Sequence, residues 1–326
     1  MTVTWEGLGW ERLSAGVGRI RLPGWDCTTG LVLAPGAALL IDSGSSLAEG
    51  ARLRADAERL AGVNVTHLAL THPHFDHVFG AAAFPEAEVY AAHASHDADE
   101  LTADAVRNGL PEEAARAAAE ALVVPDHVVT GTRRVVLGAD PDGHGVARGV
   151  ADASGTGAGA GEAGATGRDV GHGAGRAAGH PVGPGSWEAR ACDAGAPVAR
   201  HHPGRASAAR HAGPGQAAGT RHTGTGLAPV EVLLARLGPA HTPYDLVVLV
   251  PGAVRVVFCG DLVEESGEPQ AGADAVPGRW AAALDALLAL GGEDAVYVPG
   301  HGAVVDAGFV RRQRDALSER FGVSRG

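Results

Sequence analysis

Residues 72–77 carry four side chains that could bind metal ions, spaced as His72-x-His74-x-Asp76-His77. Ordinary packing does not need such a density of imidazole and carboxylate groups, and both are common zinc ligands. Pro73 disfavours helix at the residue before it, so His72 and His74 are predicted to leave an extended chain on one side and share a metal. Asp76 and His77 follow at a turn and could hold a second metal. Two adjacent metals are typical of hydrolytic chemistry.

Further candidate ligands follow apolar runs that read as strands. Asp42 comes after 38–41, Asp261 after 254–260, and His301 after 295–300. His72 likewise follows an apolar run. Because loops converge at strand ends while the strands hold them rigid, we expect these side chains to lie in one site.

The segments that must position these residues alternate between strands and helices. Two strands, 19–22 and 29–33, are predicted to flank a turn. The later predicted strands are 65–71, 88–91, 246–250, 254–261 and 295–302, with 230–237 a strand or a short helix, and the predicted helices are 46–61, 111–122, 280–290 and 309–321. Ser45 or Ser46 is a plausible cap for the first helix. This alternation predicts α/β layering.

The turn at 23–27 carries Trp25, which either faces the substrate as a flap or folds back onto the core. The sequence leaves both readings open. Substrate choice is expected to depend on the loops around Trp25, Phe75, Phe79 and Trp280.

The stretch 139–227 differs from the rest of the chain, because Gly and Ala make up 44 of its 89 residues. Its few large apolar residues do not offset the entropy of ordering it, so it is predicted to be a disordered insertion. One domain is then expected from 1–138 and 228–326. The insertion holds seven histidines, which a metal-delivery role or simple compositional drift would explain. Their irregular spacing favours drift, and none is assigned to the site.

Charge and cysteine content narrow the function classes. The net charge is −12, and about −13 without the insertion, which argues against nucleic-acid partners and anionic membrane surfaces. No signal peptide and no run of eighteen apolar residues is seen. Three widely spaced cysteines fit a reducing compartment, so a cytoplasmic protein with a small-molecule substrate is expected. The oligomeric state is not indicated.

The order Asp42, His72-x-His74-x-Asp76-His77, His241, Asp261, His301 resembles the five-motif series of the metallo-β-lactamase superfamily. The resemblance covers the chain outside the insertion. It implies a four-layer αβ/βα sandwich with two zinc ions in a cleft at one edge of the sheets. One metal would be held by His72, His74 and His241, and the other by Asp76, His77 and His301, with Asp261 bridging. Asp42 would support these ligands.

The resemblance also implies hydrolysis by a metal-bridging hydroxide that attacks an activated carbonyl or phosphorus centre. Asp76 would orient this nucleophile and pass its proton to the leaving group. Tyr244 either offers its hydroxyl to the substrate or is a buried structural residue. The donor set suits Zn²⁺, while ligand type alone leaves Fe and Mn open.

The bridging Asp261 is similar to glyoxalase II-like and lactonase-like members rather than to the best-known zinc β-lactamases. A small ester, thioester or lactone substrate is therefore expected, with β-lactam hydrolysis at most a minor activity. The run from His241 to Asp245 departs from the H-T-P-G-H of many glyoxalase II-like relatives, which weakens the thioester assignment. The alternatives are a mononuclear iron sulfur dioxygenase of the same superfamily and, least favoured, a non-enzymatic metal-binding protein. Cys259 is expected to be an inert buried thiol.

Overall fold

The computed structural model describes residues 3–138 and 226–322. Nearly all of the stretch predicted as an insertion, with its seven histidines, lies outside the described residues. Of its last two residues, Leu227 packs against the hydrophobic core. The division into a domain and a disordered insertion therefore stays a prediction.

Among the described residues, seven strands form the first sheet in chain order: β1 (Glu11–Arg12), β2 (Val17–Arg21), β3 (Thr28–Ala34), β4 (Ala37–Ile41), β5 (His67–Ala69), β6 (Glu88–Ala91) and β7 (His127–Val128). The first four strands pair antiparallel. From β4 onward the pairs are parallel, so the chain crosses over between strands. The carboxyl ends of β4 and β5 therefore lie at the same edge of the sheet.

The second sheet contains five strands within the described ranges: β8 (Thr132–Leu137), β9 (Val230–Arg236), β10 (Leu246–Val250), β11 (Val256–Glu264) and β12 (Val296–His301). They lie in the order β12-β11-β10-β9-β8, antiparallel except for the parallel pair β11 and β12. Leu137 at the end of β8 faces Val230 at the start of β9. The chain thus leaves and re-enters this sheet at facing positions.

In the part of the chain that the structure describes, six α-helices accompany the sheets: α1 (Leu47–Ala61), α2 (Phe75–Val78), α3 (Ala98–Arg107), α4 (Glu112–Glu120), α5 (Pro277–Gly291) and α6 (Ala307–Arg320). Ser46 caps α1 as expected, because its hydroxyl accepts a hydrogen bond from the Glu49 amide at 3.2 Å. Helix α3 was not predicted from the sequence. Asp97 caps it, accepting a hydrogen bond from the Glu100 amide at 3.0 Å.

Alternating side chains of the strands divide the core into layers. Leu31 and Leu40 face the helices α1, α3 and α4, whereas their neighbours Val32 and Leu39 face the second sheet. On the second sheet, residues such as Val247 face α5 and α6. This period of two places a helical layer outside each sheet and confirms the four-layer αβ/βα sandwich. None of the described helices is both long enough and apolar enough to cross a membrane.

Candidate metal centre

The histidine-rich motif follows β5 at the edge of the first sheet. The extended conformation predicted across Pro73 is wrong for its first part, because the backbone bends from Thr71 to Pro73 before His74. Asp76 and His77 do not lie in a turn but on the short helix α2. The bend and the helix together turn the four side chains toward a common point.

The remaining ligand candidates come from the second sheet. His241 lies in the loop between β9 and β10, and His301 is the last residue of β12. Strand β11 does not end at Asp261, as the predicted strand 254–261 did, but continues to Glu264 with a register shift at Gly260. Gly260 has a φ of 54°, a conformation that favours glycine. This bulge aims the Asp261 carboxylate at the histidines.

His72, His74 and His241, which we call the three-histidine group, converge beside Asp261. His74 Nδ1 lies 3.1 Å from His241 Nε2. One oxygen of Asp261, Oδ2, lies 3.5 Å from His72 Nε2 and 3.4 Å from His241 Nε2. Ligands at about 2.1 Å from a tetrahedral zinc ion are about 3.4 Å apart, so this spacing suits a zinc site.

Asp76, His77, Asp261 and His301, which we call the carboxylate group, lie on the other side of Asp261. His301 Nε2 is 3.3 Å from both Asp261 Oδ2 and Asp76 Oδ2. His77 Nε2 is 3.2 Å from Asp261 Oδ1 and 3.6 Å from Asp76 Oδ2. Asp261 thus belongs to both groups, as the resemblance implied for a bridging carboxylate.

Each of the five histidines has a hydrogen-bond partner for the ring nitrogen that faces away from the centre. The partners are Thr71 Oγ1 for His72 (3.0 Å), Asp274 Oδ2 for His74 (3.3 Å), Asp42 Oδ2 for His77 (2.9 Å), the Gln270 carbonyl for His241 (3.1 Å) and the Trp25 carbonyl for His301 (2.7 Å). Such partners fix the tautomer and the orientation of a metal-binding imidazole. When such a ring is neutral, its proton lies on the outward nitrogen and the inward nitrogen is a lone pair available to metal.

Asp42 supports both groups from behind. It directly follows β4 with a φ of 62°, a left-handed conformation that aspartate tolerates. Its carboxylate accepts hydrogen bonds from the Thr71 amide and the Thr71 hydroxyl, both at 2.8 Å, as well as from His77. Since Thr71 in turn contacts His72, one buried carboxylate orients a histidine of each group.

The two groups differ in charge. Burial is the main cause that lowers the pKa of His72 and of His241 to about 3. Burial also lowers the pKa of His74, but the hydrogen bond and the charge of Asp274 outweigh it, and the net shift is upward. Two rings of the three-histidine group are thus neutral at any physiological pH, with lone pairs free for a cation.

In the carboxylate group the imidazoles are positively charged. Burial opposes the charge on His301, yet Asp261 and Asp76 raise its pKa to about 12. The pKa of His77 is also well above its ordinary value, because the surrounding acidic groups outweigh burial. Burial raises the pKa of Asp76 and Asp261, but the neighbouring imidazolium ions outweigh it and hold both well below their usual range.

Two buried polar atoms test whether the site fits a metal. Among the described residues, His72 Nε2 and Asp261 Oδ1 are inaccessible to solvent and form no hydrogen bond. Burying such atoms without a hydrogen bond is costly, even though His77 Nε2 lies 3.2 Å from Asp261 Oδ1, and a metal cation would give both atoms a partner. The donor set of imidazole and carboxylate groups fits zinc.

The two described cysteines differ in their relation to this donor set. Cys27 lies with Asp76 and His77 in a further candidate metal group, and its Sγ is 3.7 and 3.8 Å from the two ring nitrogens of His77. Burial raises the pKa of the Cys27 thiol to about 11. Cys259 is buried between the second sheet and its helices, as expected for an inert thiol, and burial raises its pKa as well.

A cleft of about 1070 Å³ opens over the centre. Trp25 lines it and also packs against Phe75 at 5.3 Å between ring centroids, so both readings of this residue hold in part. Tyr244 lines the cleft with 39% of its surface exposed, which excludes the reading of a buried structural tyrosine. Phe79 and Trp280 are buried and do not line the cleft.

The structure adds supporting residues that sequence reasoning missed. Thr71 stands in the motif and could have been found from its position beside His72. Gln270, Asp274 and the Trp25 carbonyl have no such signal, because no motif or period links them to the histidines they contact.

The fold is of the metal-dependent hydrolase type, and the described residues contain three overlapping groups that could hold a metal ion: His72, His74, His241 and Asp261; Cys27, Asp76 and His77; and His77, Asp261 and His301. The chain belongs to the metallo-β-lactamase superfamily, whose family model matches residues 22–187 and 189–301. No curated protein matches it.

Two solved structures are similar to the chain. A metallo-β-lactamase from Pseudomonas aeruginosa in a mono-zinc form has a TM-score of 0.51 and 15% identity, over 97% of this chain and 96% of that one. A metallo-β-lactamase from Hirschia baltica has a TM-score of 0.49 and 13% identity, over 94% and 96%. At such low identity the first structure supports the fold alone.

Proposed function

We propose that the protein is a dinuclear zinc hydrolase that cleaves a small ester, thioester or lactone. The position of Asp261 carries this proposal, because its carboxylate lies within 3.5 Å of His72, His77, His241 and His301. A carboxylate shared by two ligand groups is suited to two adjacent cations. Two such cations would lower the pKa of a bound water toward neutrality and polarise a substrate carbonyl.

The side chains around the centre have distinct proposed roles. Asp76, whose Oδ2 lies 3.3 Å from His301 Nε2, is proposed to orient an attacking water and to accept its proton for transfer to the leaving group. Tyr244, exposed to the same cleft, is proposed to donate its hydroxyl to the substrate. Trp25 lines one side of the cleft.

The charge of the cleft wall favours neutral or cationic substrates. Helix α3 lines it with Asp97, Asp99, Glu100 and Asp104. Among the described lining residues Arg107 is the one guanidinium, and it is paired with Asp104 at 3.0 Å. Phosphodiesters and glutathione thioesters carry negative charge that this wall would repel, so uncharged lactones and esters are the preferred class.

Metal analysis and a substrate panel test this proposal. About two zinc ions per chain, with turnover of lactones or neutral esters, is the expected result. One iron with oxygen uptake would support the sulfur dioxygenase instead, and no metal would support a binding protein.

Replacing Asp76 with Ala tests the mechanism, since this carboxylate is both a proposed ligand and the proposed proton carrier. We expect hydrolysis to fall by more than about 100-fold, because general acid–base groups alone contribute that much. Circular dichroism should show an intact fold. Undiminished turnover would contradict the mechanism.

A further inference from the structure

The hydrogen-bond partners of the five histidines come from two different parts of the molecule. His72, His77 and His301 are held by Thr71, Asp42 and the Trp25 carbonyl, all from the first sheet and its loops. His74 and His241 are held instead by one loop, residues 265–276, which joins β11 to α5 and is largely exposed. Two of the three members of the three-histidine group therefore depend on this loop.

We propose that the loop 265–276 is the positioning element of the three-histidine group and that Asp274 is the positioning residue through which it sets metal affinity. The proposal rests on the proposed metal centre, but it concerns which residues tune that centre. It assigns a role to a carboxylate about 200 residues from its histidine partner.

Asp274 acts on the tautomer of His74. The ring presents Nδ1 to the centre, whereas its neighbours His72 and His241 present Nε2. Nδ1 is a lone pair only when the proton sits on Nε2, and Asp274 Oδ2 accepts that proton's hydrogen bond at 3.3 Å. Without Asp274 the ring is free to carry its proton on Nδ1, a form that cannot bind a metal there.

The loop also contacts His241, so it can affect the position of a second ligand of the three-histidine group. Its Gln270 carbonyl accepts a hydrogen bond from His241 Nδ1, and the Val276 amide donates to the carbonyl of Ala240 at 2.8 Å. The loop thus contacts both the ring of His241 and the backbone just before it. Arg320 of α6 further fixes the loop through the Pro269 carbonyl at 2.8 Å.

Replacing Asp274 with Ala should weaken the binding of one zinc ion by about 10- to 100-fold, the usual effect of removing a hydrogen-bond partner of a ligand histidine. Zinc affinity is measured by competition with a chelator, without any substrate. The matched control is Glu268→Ala, which removes the same charge from the same loop. Glu268 is exposed, and its side chain forms no hydrogen bond or ion pair with another described residue. This control should bind zinc within about twofold of the parent.

Two further measurements separate positioning from folding. Nitrogen NMR of the histidine rings in metal-stripped protein should show His74 protonated on Nε2 in the parent and in Glu268→Ala, and partly on Nδ1 in Asp274→Ala. Asp274→Asn keeps a hydrogen-bond acceptor and should retain most of the affinity. Equal zinc affinity for Asp274→Ala and Glu268→Ala, or an unchanged His74 tautomer, would overturn the proposal. Failure to hydrolyse any ester would instead count against the proposed function and leave these affinities unaffected.

Discussion

The two halves of the candidate centre share one carboxylate but differ in charge and in support. The three-histidine group contains two neutral imidazoles, His72 and His241, and is hydrogen-bonded to an exposed loop. The carboxylate group is a buried network of ion pairs in which His77 and His301 carry protons. A cation can add directly to the first group, whereas in the second it must replace protons. Similar ligand types can therefore give two sites with different binding behaviour.

Removing the shared carboxylate of Asp261 should weaken metal binding to both groups and so abolish the difference between them. This substitution has the largest expected effect on metal affinity. Asp261→Asn removes the carboxylate that both groups share and takes one ion-pair partner from each of the imidazolium ions of His77 and His301. We expect both metals to bind more than about 100-fold more weakly, beyond the effect of losing a supporting residue. Metal content after dialysis measures this loss, and retention of one tightly bound zinc would show that Asp261 serves a single group.

Changing the pH should affect zinc binding to the two groups differently, and this effect should be smaller than that of Asp261→Asn. In metal-stripped protein the raised pKa of His77 and of His301 keeps both rings protonated at neutral pH, so zinc must expel these protons. Affinity for the carboxylate group should therefore rise with pH, by about tenfold per unit for each proton released, and fall as pH is lowered.

The slope for the three-histidine group should be shallower, because His72 and His241 are already neutral. Of its three rings only His74 has a raised pKa. Zinc titrations between about pH 6 and about pH 8 should resolve two sites with different slopes. Two identical slopes would contradict the charge difference between the groups.

Replacing 139–227 with a short turn should have the smallest effect. Leu137 and Val230 face each other across β8 and β9, so a turn of a few residues can join the strands. Neither half of the centre takes a described ligand from this stretch, so metal content should match the parent. Loss of either metal would show that the inserted residues contribute to the centre.

The sequence predicts well those features that local patterns encode. Apolar runs with a period of two mark the strands, and the dense motif at 72–77 marks half of the centre. The bulge at Gly260 could not be predicted, because it depends on pairing with a strand that lies about 40 residues further along the chain. The same is true of Asp274, whose role exists only once β11, its loop and the motif are brought together. The roles of Asp76 and Tyr244 stay predictions.

The facing ends of β8 and β9 also make the protein a natural candidate for a split reporter. A cut within the intervening chain would leave one fragment with His72, His74, Asp76 and His77, and another with His241, Asp261 and His301. Neither fragment alone holds all the members of the three-histidine group or of the carboxylate group. Zinc would then bind tightly only when the two fragments meet, and the metal itself would report their association.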